Sequence, residues 1–563
     1  MIGINYEEKK YTYPLHNILV WPFQFEMSDW MMIQKSRDRF VKHLDKNLWS
    51  LVKPLSSVET NHIDDSFISR ANDYMLRNYL TQPALDVFNT LSTQERIKDE
   101  EYPCCIYERT DILKDHKPNY CYKLTLQKKA EDRSGTDEEY VFPIVSLKLH
   151  LYDYGVGLLF MEVVGGVSDY KNPSSKCIEI ADILKCNDLM RRWILPFTSK
   201  DDTIITASMI SITEFETGAD ISKYDFLEDN KSVQMANYSD VRKRLNGINQ
   251  FTLAALLGWK YRDCKEKKNE FENISLHSYK DERTFLISLI RNSELSDKIA
   301  DYYDDSKAGL QDTSNNHLVL VGKHQRMELM ELLYAIAYVD QTHITCQNNE
   351  MKEKLLSEAI YDRWSGYGTI HAITKYSMIC VTTEKQLVND TVVRPFLEEY
   401  VYLFAIAFAQ KKILEKFSEE MGKLAGKLRA SRIIYPNTKF KLSSIQKKYV
   451  LFQNTLMLKD VTLQDQGIDM YDQMKEQFGI ADMFESLTKQ MEGMFALVDA
   501  SNAFSLQIVG FIIALVSVPQ FLQLVSYLWN LSLCRYIIAG MVLILILGSV
   551  LKRFRKRFRN FHS

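Results

Sequence analysis

The chain has 563 residues, with 70 Lys and Arg against 73 Asp and Glu, so its formal net charge is −3. Setting aside Arg535 and the six cations of the C-terminal tail leaves the remainder near −10, which argues against DNA or RNA as a polymeric partner because phosphate binding needs a cationic face. The nine cysteines are scattered, with one vicinal pair, Cys104-Cys105, and no two-residue-gapped pairs of the zinc type; reduced thiols are expected.

Residues Met1 to Lys10 carry acids and lysines without an apolar core, so no secretory signal is expected. About 440 residues precede the last helical region, more than one hydrophobic core usually serves, which predicts two α/β layers or subdomains. Helical spacing of apolar residues covers Asp29 to Trp49 and Phe67 to Leu91. Strand patterns fall at Ile18 to Phe25, Tyr120 to Gln127, Thr203 to Thr213, His317 to Val321 and Thr374 to Thr382. The strongest strand signal is Val141 to Val164, where two β-branched and aromatic runs flank a Tyr152-Asp153-Tyr154-Gly155 turn. Gly165-Gly166 at its end offers either a phosphate cradle or, more simply, a strand exit. Polar loops are expected at Asp263 to Glu282 and Asp301 to Asn316.

A helix is predicted from Val392 to Ala425, and after Tyr435-Pro436-Asn437 a second begins near Leu442. Met470, Met474, Ala481, Phe484, Met491, Met494 and Val498 fall in steps of three, four and seven, a helix-packing seam. Run without a break into the apolar region, that helix would cover some 85 residues, on the order of 130 Å. Gly467, Gly479 and Gly493 are its weak points.

Between Asp499 and Lys552 the only ionisable charge is Arg535. A bilayer span takes about 20 apolar residues, so two spans are expected, near 503–528 and 536–551. The tail Lys552-Arg553-Phe554-Arg555-Lys556-Arg557-Phe558-Arg559 then marks a cytoplasmic exit, with headgroup contact preferred over a nucleic-acid arm. The expected organisation is an α+β or α/β cytoplasmic sensor domain over 1–385, a helical stalk over 386–502, a transmembrane hairpin over 503–551 and a basic cytoplasmic tail over 552–563. The expected location is a bacterial inner membrane, crossed twice, with both ends cytoplasmic.

This layout resembles the CorA family of pentameric divalent-cation channels. The specific match is Pro519 followed, after seven residues, by Tyr527-Leu528-Trp529-Asn530, where the family has Tyr-Gly-Met-Asn. Pro519, Tyr527 and Asn530 keep the register; Leu528 and Trp529 depart from it. The motif covers a dozen residues and the architecture the last 120 or so, while the first 380 match only in general α/β character. By this resemblance Gln507, Ala514, Val518, Phe521 and Val525 would line a pore, with Phe521 and Val525 a constriction that closes by dewetting. Phe521 fits equally well packed against lipid or the second span.

The family's acidic outer loop is replaced by a short segment whose one charge is Arg535, which disfavours magnesium import. The chain is similar to a divergent CorA-like subgroup associated with type III CRISPR antiviral defence. That likeness implies a homo-pentameric membrane effector gated by a small nucleotide ligand, a conjugate of S-adenosylmethionine and AMP (SAM-AMP), in contact with a lipid bilayer; it carries over no ligand-binding residue. The alternative is a magnesium transporter sensing divalent cation through Asp460, Asp465 and Asp469, for which a solvated helix face is the simpler role. A third class is a membrane-anchored enzyme. No Walker loop, Gly-x-Gly-x-x-Gly, Gly-x-Ser-x-Gly or His-Glu-x-x-His occurs, so no catalytic residue is assigned. The histidine pairs His317 with His324 and His343 with His371 would need the fold to unite them.

Overall fold

The computed structural model describes residues 12–27, 44–52, 78–91, 102–115, 117–126, 138–169, 177–192, 209–221, 274–278, 283–304, 316–340, 345–430 and 436–528, with isolated positions between them. The chain divides into two units: residues 1–427 with 440–490, and residues 428–439 with 491–563.

The first unit is built on strand β1 (Leu15–Met27), whose residues Leu15 to Phe25 are all buried. Its neighbours come from the run that sequence pattern marks most clearly. Strands β7 (Glu138–Tyr152) and β8 (Val156–Gly165) form a hairpin. Gly155 turns it at φ +73°, a conformation costly for any residue with a Cβ. The remaining strands are β2 (Trp49–Leu51), β3 (Cys104–Arg109), β6 (Tyr120–Leu126), β9 (Met209–Glu214), β10 (Ile274–Ser278), β11 (Phe285–Arg291), β12 (Ile360–Tyr361), β13 (Ile370–Ile373) and β14 (Ser377–Thr382). Two-residue strands β4 (Leu113–Lys114) and β5 (Lys117–Pro118) pair separately.

The main sheet has twelve strands, in the order β12-β13-β14-β11-β1-β8-β7-β3-β2, with β10 pairing β1 beyond the end of β11. A register shift between Ile144 and Ser146 bends β7, so its first half pairs β6, which in turn carries β9. Every described pairing within this sheet is antiparallel except β11 with β14. That single parallel pair requires a long crossover. Helices α2 (Ser293–Tyr303), α3 (Asn316–Tyr338) and α4 (Asn349–Ala359) occupy the connection, with β12 and β13.

Helices cover both faces. Leu15, Leu19 and Phe23 of β1 face one core with Leu286, Ile290, Met161, Leu295, Leu333 and residues of α1 (Ile180–Met190). The alternate positions face α5 (Tyr400–Ala430), where Phe404 packs tilted against Phe285 at 4.5 Å and stacks on Phe408 at 5.0 Å. Burying each such ring contributes roughly 1.5–3 kcal/mol.

A strand enclosed on both faces must satisfy its polar side chains internally. Asn17 donates to Asn187 Oδ1 of α1 at 2.7 Å, and Asn187 donates to Ser288 Oγ of β11 at 3.1 Å. On the other face Lys416 of α5 donates to the carbonyls of Gly155 at 2.9 Å and Phe25 at 3.3 Å. It fixes the β7–β8 turn against β1.

The expected stalk is not one rod. Helix α6 (Pro436–Thr455) ends before a non-helical segment, α7 (Asp465–Phe478) comes next, and Gly479 at φ +65° separates it from α8 (Ile480–Leu528). The Gly479 N–H bonds the Glu476 carbonyl at 2.9 Å, so a left-handed glycine closes α7 without any proline. Of the seam residues, Met470, Met474, Met491 and Val498 are buried, Phe484 and Met494 half-buried and Ala481 exposed. His317 to Val321 is the start of α3 rather than a strand, because a short alternating run does not distinguish the two once it lies inside a long helix. Trp49 stands in β2, and part of the expected 263–282 loop is strand β10.

The transmembrane expectation is corrected. Among the described residues no helix is long and apolar enough to cross a membrane. Residue counting between Asp499 and Lys552 establishes an apolar composition, whereas a span requires about 20 consecutive apolar residues in one helix. Among the described residues the fold is a large mixed sheet with helices, and the two-helix hairpin expected over 503–551 is not found there. The membrane-protein and channel expectations, and the multi-pass inner-membrane location, fall with it. Within 536–551 only Leu543 and Ile546 belong to the described residues, both exposed, and the tail after Lys552 lies outside them.

Replacing Asn187 by Leu leaves the Asn17 amide and the Ser288 hydroxyl buried without each other's bridge. Destabilisation of about 2–4 kcal/mol is expected, measured as a lowered midpoint of urea unfolding followed by tryptophan fluorescence. A change below ~0.5 kcal/mol would show that the ladder does not hold α1 to the sheet.

Candidate functional site

The parallel pair creates a local geometry found nowhere else among the described strands. Strands β11 and β14 end side by side, and the chain leaving β11 enters α2 at once, with Asn292 as its N-cap. The Asn292 side chain accepts from Leu295 N at 2.8 Å, and its own N–H bonds Thr382 O at 2.9 Å. Crevices beyond the carboxyl ends of parallel strands, beside a helix N-terminus, suit anionic ligands.

Hydroxyls crowd this corner. Thr369 Oγ1 and Thr382 Oγ1 lie 2.8 Å apart, Ser293 Oγ and Thr383 Oγ1 lie 3.2 Å apart, and Ser296 donates to Gly368 O at 2.8 Å. Gly368 has φ +70°, and a Cβ there would meet Ser296 backbone at 2.3 Å, so the loop before β13 lies directly against α2. Arg291, at the end of β11, donates to the Glu384 carbonyl at 2.8 Å and fixes the turn after β14. Burial lowers its pKa, with Glu384 opposing.

Beneath the corner, on the α5 face, lies His371 of β13, 3% exposed. Rings of Phe396, Tyr400 and Tyr361 surround it, with centroids at 5.8, 5.9 and 6.2 Å. Neither of its ring nitrogens has a hydrogen-bond partner. Such an orphan donor or acceptor costs on the order of 1–3 kcal/mol. Burial holds the imidazole neutral, with its pKa down at about 4.

The segment joining β14 to α5 is wound as π-helix over Asn389–Val393 and Pro395–Glu399, a winding that is rare and often marks functional sites. It brings Phe396 to His371. Glu399 at its end is raised to about 7 by burial, then by Glu398, and Tyr79 nearby is raised by burial and by Glu399.

The sequence-derived sites sit elsewhere. Gln507 and Ala514 are exposed on α8. Val518, Pro519, Phe521, Val525, Tyr527 and Leu528 belong to the same helix, their side chains outside the described residues, and Trp529 and Asn530 lie outside them altogether. These residues share one helix of one chain, and no pore follows from that. Asp465 and Asp469 of α7 approach Arg363 at 4.0 and 3.4 Å, and Tyr361 donates to Asp469 at 3.0 Å. They clamp α7 to the β12 edge; the Asp460 carbonyl accepts from Thr81. Among the described residues no cluster of three or more His, Cys, Asp or Glu is placed to hold a metal ion.

His343 lies outside the described residues, as do the side chains of His317 and His324. Gly165 packs on the Phe142 ring and Gly166, at φ +81°, turns beside Leu15, which makes the pair a strand exit. Sequence pattern did not single out the corner, although Phe285-Leu-Ile-Ser-Leu-Ile-Arg291 followed by Asn292-Ser293-Glu294 is a strand running into an N-cap.

No protein-family model, curated protein or solved structure matches the chain.

The buried histidines fix the sign of the pH response. His150, stacked on Phe160 at 4.4 Å, is lowered to about 3 by burial and then Lys148, and His371 to about 4. The unfolded chain binds protons near pH 6.5 and the folded one does not, so stability falls as pH drops from about 6.5 toward 4, by about 1.4 kcal/mol per pH unit for each histidine. Glu399, whose folded pKa is raised, works in the opposite sense between about 4.5 and 7. Urea midpoints across pH 4.5–7 should therefore fall on acidification, and less steeply in a His150→Phe, His371→Phe double variant. Equal slopes would show that these histidines are not buried neutral.

Proposed function

We propose that the chain is a ligand-responsive regulatory protein, without catalytic activity of its own, whose large sheet domain takes a phosphate-bearing small molecule at the corner formed by β11, β14 and α2. The observation that carries this reading is the joint ending of the only parallel strand pair among the described residues at a helix N-terminus lined by Ser293, Thr382 and Thr383. First-turn N–H groups and hydroxyls donate to phosphate oxygens without needing a large cationic surface, consistent with the acidic balance of the chain. The CorA-like resemblance supplies a nucleotide messenger as the ligand class, with SAM-AMP as its specific candidate and type III CRISPR defence as its setting. Arg291 holds the 383–385 turn in place for that ligand.

Self-association is proposed as the output. Phe511 and Ile513 of α8 are 64% and 62% exposed, and Gly510 beside them has open space where a side chain would stand. Large apolar side chains exposed on different sides of one helix suit contact with more than one neighbouring copy, and five copies is the number the resemblance implies. A Phe511→Glu variant should sediment at lower mass than the wild type; equal masses would remove α8 from the contact.

For the ligand, thermal unfolding of wild type and Ser293→Glu should be followed with AMP, S-adenosylmethionine and SAM-AMP. A bound nucleotide raises the wild-type melting temperature, and the glutamate, placed at the helix N-terminus where phosphate would sit, should weaken binding at least tenfold with the unliganded melting temperature kept within about 2 °C. No nucleotide effect on the wild type, or an equal effect on both proteins, would end this reading.

A further inference from the structure

Charge is laid unevenly along the helices that follow the sheet. From 421 to 459 the sequence has nine Lys and Arg and no Asp or Glu, and from 460 to 499 it has nine Asp and Glu against two Lys. In a chain whose totals nearly balance, adjoining blocks of opposite sign give the surface two faces of opposite sign.

The basic face lies on α5 and α6. Helix α6 buries Leu442, Ile445, Tyr449 and Phe452. Phe440, Ser444, Lys448 and Leu451, in steps of four, four and three, line one flank of that buried side together with Lys441, and Phe440 and Leu451 are exposed. Lys427 of α5 is exposed and reaches Lys441, whose ammonium is lowered by burial and then by Lys427. Two cations in contact repel each other, and the 421–459 block holds no acid to relieve them.

The acidic face lies on α7. This helix buries Met470, Tyr471, Met474 and Phe478, and its opposite side shows Asp465, Asp469, Asp472 and Glu476 in steps of four, three and four, all exposed. Arg363 meets the first two and Lys475 meets Asp472 at 2.7 Å, so four carboxylates face two cations and a net negative stripe remains. Glu476 has no ion-pair partner among the described residues. Exposed Leu463 and Ile468 stand beside the stripe, as Phe440 and Leu451 stand beside the lysines. A nucleic acid or an anionic lipid surface would account for the first face and leave the second unexplained. A second copy of the chain accounts for both, with apolar side chains next to complementary charge on each side.

We propose that the basic face of α5 and α6 in one copy docks on the acidic face of α7 in the next; this rests on the self-association reading above and gives the contact its direction. Two different surfaces meet, so the contact is heterologous and is completed by closing a ring. Exposed ion pairs are weak singly and screened by salt, so association should weaken as salt rises.

The test sediments five full-length proteins: wild type, a basic-face reversal (Lys427→Glu with Lys448→Glu), an acidic-face reversal (Asp472→Lys with Glu476→Lys), all four substitutions together, and Phe511→Glu. Each is run at about 0.1 and 1 M salt, between which the screening length falls from roughly 10 Å to about 3 Å. Each reversal alone should weaken association by about tenfold or more, and the four together should restore it to within about threefold of wild type at low salt. Circular dichroism melting within about 2 °C of wild type separates lost contact from lost fold; should one reversal fail to fold, the other and its salt dependence decide. Reversals that leave association unchanged, or a fourfold variant as weak as either reversal, would overturn the proposal. So would a basic-face reversal of unchanged mass that loses binding to vesicles with anionic headgroups or to single-stranded RNA, which would assign the lysines to a polyanion. A wild type that is monomeric at both salts would end the self-association reading and this contact with it, whereas charge variants that associate normally while Phe511→Glu does not would overturn this contact alone.

Discussion

Burial of both faces of β1 is the constraint on which the first unit depends. From Leu15 to Phe25 the strand, with helices above and below, is buried at every position, so its polar side chains must find partners in other elements. The answers determine which elements meet. Asn17 and Ser288 both reach Asn187, which brings α1 over the β1–β11 seam, and Lys416 reaches the carbonyls of Phe25 and Gly155, which brings α5 over the β7–β8 turn. These are hydrogen-bonded groups in an otherwise apolar interior, and each fixes a register that hydrophobic contact alone leaves free to slide.

Against that background single atoms such as His16 Nδ1, Asn17 Oδ1 and His150 Nδ1 go without a partner, and the β13–β14 corner departs from the rule most fully. His371 breaks it with two orphan nitrogens, and Glu399 near it has a carboxyl pushed up to about 7 by burial. The backbone departs from regularity at the same spot, where the chain winds as π-helix on both sides of Arg394 before α5 begins. Unsatisfied groups, a perturbed acid and an uncommon winding each cost stability, and their coincidence within one corner is more economically explained by a site than by three unrelated defects.

The β7–β8 hairpin is legible in the sequence because alternation and a Tyr-Asp-Tyr-Gly turn are local signals, and Gly155 does adopt the left-handed conformation expected of it. The 317–321 run misleads because Leu318, Val319, Leu320 and Val321 satisfy a strand pattern over five residues while the helix that contains them needs twenty-three to declare itself. The stalk misleads for a related reason: Gly479 stands out as a weak point, but nothing local distinguishes a glycine that bends a helix from one that ends it. The corner is illegible in a deeper sense. Thr369 with His371, Thr382 and Ser293 come from three segments spread over 90 residues, and only the parallel pairing of β11 with β14, a long-range choice with no local signature, brings them together. Between Asp499 and Lys552 an apolar composition suggests a topology, and composition does not by itself establish a continuous spanning helix.

If a ligand acts at this corner, α5 limits how its effect can travel within the first unit. Tyr400 touches His371, Phe404 and Phe408 lie on Phe285, Gln410 donates to the Leu456 carbonyl and to Tyr471, and Lys416 holds the β7–β8 turn, all on one continuous helix. Anchored at four levels, α5 does not bend between them without breaking buried hydrogen bonds and a stacked aromatic seam. Before Tyr400 stand the π-helical residues 389–399, which bury Val393, Phe396 and Leu397 and set Phe396 against His371. A ligand that binds one arrangement of this segment better than another shifts its population by that difference in affinity and no more. Helix α5 itself, from Tyr400 to Lys416, then moves as a rod. A ligand contact at the corner and the rigidity of α5 would thus be complementary: the first would supply a differential interaction, and the second would keep it from being dissipated in the core.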